Sequence, residues 1–125
     1  VLEGSHDNFE INDTGIPKII LANSDNADDV RNFKDNFQTF IINHNIEKVG
    51  IKKRGTKGKF AGGAVSFKME GIIQLIDEAD IVLIPAQTIS AKLRNVTLPT
   101  SDSLFGYQQS AYETACTLLR MNSDA

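Results

Sequence analysis

Between Lys48 and Phe67 the chain reads KVGIKKRGTKGKFAGGAVSF, and six of its 13 Lys and Arg residues fall there: Lys48, Lys52, Lys53, Arg54, Lys57 and Lys59. An apolar strand end, Val49-Gly50-Ile51, runs into a cationic loop from Lys52 to Gly63, and Ala64-Val65-Ser66-Phe67 enters a helix. A loop that leaves the carboxyl end of a strand and feeds a helix amino terminus is where α/β folds commonly hold anions. Gly58, Gly62 and Gly63 permit close backbone approach, so that free amides can cradle phosphate oxygens. Lys52, Lys53, Lys57 and Lys59 supply point charges, and Arg54 a bidentate fork. The spacing does not make a Walker A loop, because no Gly-Lys-Ser/Thr follows the required gap, and the dinucleotide fingerprint is absent as well. The same composition suits a solvated connecting loop kept soluble by its lysines. Phe60 among the cations suits base stacking, although packing into the domain is the commoner fate of such a ring.

Metal-dependent phosphoryl chemistry requires several converging acids. Glu47, Glu70, Glu78, Asp80 and Glu113 are the candidates, and nothing in their spacing forces any two together. Glu113 is the catalytic candidate, since it lies beside Tyr112 on a final helix that must pack across the sheet. His6 and His44 fall in polar turns with no partner at ligand spacing, which argues against zinc. Cys116, between Ala115 and Thr117, reads as a buried, inert thiol.

The elements that position these residues follow from periodicity. Val1 to Gly4 reads as a strand end, and Ser5 to Gly15 as a long polar turn around Phe9 and Ile11. Lys18 to Ala22, opened by Pro17, reads as a strand that pairs with the first in a loose antiparallel hairpin. Ser24 or Asn26 caps a helix with Asp25, Asp28 and Asp29 near its positive end. Ala27, Val30, Phe33, Phe37, Phe40 and Ile41 recur along that helix at three- and four-residue steps. Val49 to Ile51 is the next strand. Val65, Met69, Ile72, Ile73 and Ile76 mark a second helix, and Asp80 to Ile84 a strand covered on both faces. A short helix from Gln87 or Thr88 to Leu93 follows Pro85, and the last helix spans Tyr107 to Met121. The order β, β, α, β, α, β, α, α contains two βαβ steps, which predicts an α/β domain with a mixed sheet.

A chain of 125 residues fits one domain, and its 41% hydrophobic and 23% charged composition is that of a globular protein. The net charge of −3 gives no whole-molecule argument for nucleic acid, so that argument rests on the local cluster. One cysteine excludes an internal disulfide and favours a reducing, cytoplasmic setting. No apolar run approaches the ~20 residues that cross a bilayer. The chain opens at Val1 as though partway into a strand, which predicts that a segment precedes it.

The run Thr56-Lys57-Gly58-Lys59-Phe60-Ala61-Gly62-Gly63-Ala64-Val65-Ser66-Phe67-Lys68-Met69-Glu70 resembles an uncharacterised bacterial family, a domain of unknown function. The resemblance extends through Ile73-Gln74-Leu75-Ile76 and Pro85-Ala86-Gln87-Thr88-Ile89. It implies a three-layer ribonuclease-H-like fold of the Holliday-junction-resolvase type over residues 1–125, with the first strand preceding Val1. In that superfamily one essential aspartate comes from the first strand. A second acid ends the strand after the first helix, where Lys52 and Lys53 stand here. A third comes from the last helix, where Glu113 is the counterpart. The expectation is therefore a nucleic-acid or phosphate-ligand-binding domain that is not a competent nuclease. Its contacts are Lys52, Lys53, Arg54, Lys57, Lys59 and the amides of Gly58, Gly62 and Gly63. One alternative is a magnesium- or manganese-dependent phosphodiesterase using Glu113. Another is an interaction module that docks an acidic partner or a second copy of itself.

Overall fold

Asn8-Phe9-Glu10-Ile11 alternates polar with apolar residues, and that short period is enough to make a strand. The computed structural model describes residues 1–16, 18–53, 63–99 and 104–123. Strands β1 (Leu2–Ser5) and β2 (Asn8–Ile11) pair antiparallel, with Leu2 opposite Ile11 and Ser5 opposite Asn8. His6 and Asp7 form the two-residue turn, and the Ser5 hydroxyl donates to Asp7 Oδ1 at 2.8 Å. Gly4 holds φ +124°, where an added Cβ would run into the Asn8 carbonyl oxygen, so glycine is required there.

This hairpin corrects the expected pairing of the first strand with Lys18 to Ala22. Residues 18–22 form no strand, and Ile20 is 62% exposed. A two-residue turn closes at lower entropic cost than the long connection required by the other pairing. Phe9 and Ile11 supply the apolar face that the polar composition of the segment concealed.

Helix α1 (Ala27–Asn43) starts at Asn26, whose side chain accepts the Asp29 N–H at 3.1 Å, with Asp28 and Asp29 in the first turn. It ends at His44, whose N–H returns to Phe40 O and whose ring lies 4.5 Å from that of Phe40. Strand β3 (Lys48–Lys52), helix α2 (Ala64–Gln74) and strand β4 (Asp80–Ile84) follow. Asp80 N–H donates to Glu47 O and Lys53 N–H to Ile84 O, both at 2.9 Å, so β3 and β4 run parallel. After helix α3 (Ala86–Leu93), a 3-10 turn (Gly106–Gln108) leads into helix α4 (Gln109–Ser123). The fold is a small mixed α/β arrangement. Among the described residues its strands make two separate two-stranded sheets, in place of one continuous mixed sheet. With no strand at Lys18 to Ala22, one βαβ step remains of the two expected.

Two compact units divide the chain. In the one formed from 18–49 and 63–82, α1 packs on α2 around Phe33, Ile41, Ile72, Ile73 and Ile76. Lys68 Nζ also donates to Ser24 O at 2.6 Å. The other unit holds 1–16, 50–53, 83–99 and 104–123, and there β1 and α3 pack on α4. Its core comprises Ile84, Ile89, Tyr112, Cys116 and Leu118, with Thr114 and Thr117 buried among them. Both threonine hydroxyls donate one turn back along the helix, to Ser110 O and Glu113 O, so neither is left unsatisfied. Phe9 meets the Tyr112 ring edge-on at 6.4 Å, and the Tyr112 hydroxyl donates to Pro99 O at 2.6 Å.

Gly50 lies where β3 crosses this core. A Cβ there would stand 3.2 Å from Ile84 Cδ1, 3.3 Å from Thr114 Cγ2 and 3.5 Å from Leu118 Cδ2. Gly50→Val is therefore expected to destabilise the protein by about 1–3 kcal/mol, read as a lower urea midpoint at unchanged slope. Burial, followed by the adjacent Cys116 thiol, pushes Tyr112 from its ordinary 10.0 up to about 12. The folded state then holds a proton that the unfolded state releases, so stability must fall as pH rises from about 10 to 12. Tyr112→Phe is expected to show a shallower fall over that window in denaturant titrations; parallel curves would contradict the assignment.

Candidate functional site

Strand β3 presents Val49, Gly50 and Ile51 half-buried and then ends in two exposed cations, Lys52 and Lys53. The Lys53 N–H on Ile84 O carries the ladder to this point, so the backbone beneath both lysines is fixed. The carboxyl end of a parallel pair is the edge at which α/β sheets place ligands. At the opposite end of the same pair, the Asp80 N–H donates to the carbonyl of Glu47, the residue ahead of Lys48, which opens β3.

Arg54, Lys57, Gly58, Lys59 and Gly62, together with Phe60, lie outside the described residues. Gly63 is described as the N-cap of α2, with φ −80° and ψ 168°, a conformation open to any residue. Its carbonyl accepts the Phe67 N–H at 3.3 Å. Among the described residues, no side chain caps the amino end of α2 and no acid stands in its first turn. An added Cβ at Gly63 would meet nothing within 4 Å. The helix start therefore carries its partial positive charge with no acid in its own first turn.

Glu113 lies on α4 next to Thr114, the residue that meets β3 at Gly50, so the fold brings the last helix to the strand as expected. Its carboxylate is half-buried and accepts a long bond of 3.4 Å from Gln109. The other acids disperse: Glu78 accepts from Gln38, and Glu70 is half-buried on α2. Among the described residues, no group of three His, Cys, Asp or Glu side chains converges as a metal would require. His6 belongs to the hairpin turn and His44 to the end of α1. Cys116 is buried, and burial raises its thiol above the ordinary range, so it is a core group rather than a nucleophile. No helix among the described residues is long and apolar enough to cross a membrane.

One feature escaped the sequence reading. Phe105 and Tyr107, spaced by a glycine at the start of the last helix, stack with their rings 3° from parallel. Their i, i+2 spacing around Gly106 was the available signal.

The chain belongs to the family described as "Protein of unknown function (DUF3010)", whose family model matches residues 1–118. Among curated proteins and among solved structures, nothing matches.

Proposed function

We propose that this member of the family binds a nucleic-acid or phosphate ligand at the basic loop between β3 and α2. The observation that carries the reading is the exposed pair Lys52 and Lys53 at the carboxyl end of the parallel strands. The sequence continues that charge through Arg54, Lys57 and Lys59, and ends the loop at a helix whose amino end lacks a capping side chain. Side-chain cations would then neutralise phosphate charge, while the amides of Gly58, Gly62 and Gly63 contact its oxygens. The ribonuclease-H-like reading is supported by an antiparallel hairpin, a β3–α2–β4 crossover with parallel strands, and a final helix packed at Gly50. Within that reading, lysines in place of the second acid favour binding over cleavage. The single cysteine accords with a reducing cytoplasm.

Five cations on a single strand predict that log affinity falls with log salt at a slope of about −3.5, from about −0.7 per phosphate contact. Titration of a labelled single-stranded oligonucleotide across sodium chloride concentrations measures this slope. Lys57→Glu is expected to weaken binding and to flatten the slope by about 0.7 or more. Absent binding at low salt, or affinity indifferent to salt, would overturn the reading.

A further inference from the structure

We draw no further inference here: the strongest candidate, the edge of β3 turned away from β4, along which no other strand pairs among the described residues, is an unpartnered sheet edge, and nothing in the structure shows what covers it.

Discussion

The packing of β3 over α4 at Gly50 is the constraint on which the candidate site depends. Ile84, Thr114 and Leu118 leave room at that point for a hydrogen and little more, so the strand approaches the helix with backbone rather than side chain. The parallel ladder to β4 then extends to the Lys53 N–H, which fixes the strand end two residues beyond Ile51. Lys52 and Lys53 are exposed because the core has ended there, and they stand on a backbone that the core holds. A cationic edge mounted this way spends little conformational entropy on ligand arrival, since only the side chains remain to be ordered.

Electrostatics gives that edge its character. The molecule as a whole is acidic, at −3, so the positive charge of Lys52 and Lys53 is local. Glu113 accepts from Gln109 on α4, and among the described residues no three His, Cys, Asp or Glu side chains converge.

Much of the fold was legible in the sequence. The three- and four-residue apolar steps marked α1 and α2, Asn26 was one of two caps named, and β4 appeared at its observed limits, Asp80–Ile84. Pairing was harder to read. The run Lys18 to Ala22 has strand-like composition but remains outside any sheet, whereas the polar Asn8–Ile11 forms one because its two apolar residues alternate. Composition favours the richer run; register and turn length favour the nearer one. Contacts that join distant positions, such as Tyr112 on Pro99, leave no local pattern to read. The stacked rings of Phe105 and Tyr107 depend on a 3-10 turn closed by Gln108, and turns of that kind carry weak sequence signals. Of the candidate site, Lys52 and Lys53 lie exposed where the β3–β4 ladder ends, and the rest of the basic loop lies outside the described residues.

Backbone amide shifts in two-dimensional NMR, recorded while a short single-stranded oligonucleotide is added at low salt, test the central claim most directly. The account predicts that the largest changes cluster at Lys52, Lys53 and the amides from Gly58 to Gly63, and that added salt reverses them. Changes confined to α1 or to the β1–β2 hairpin, or a spectrum that does not respond, would contradict it.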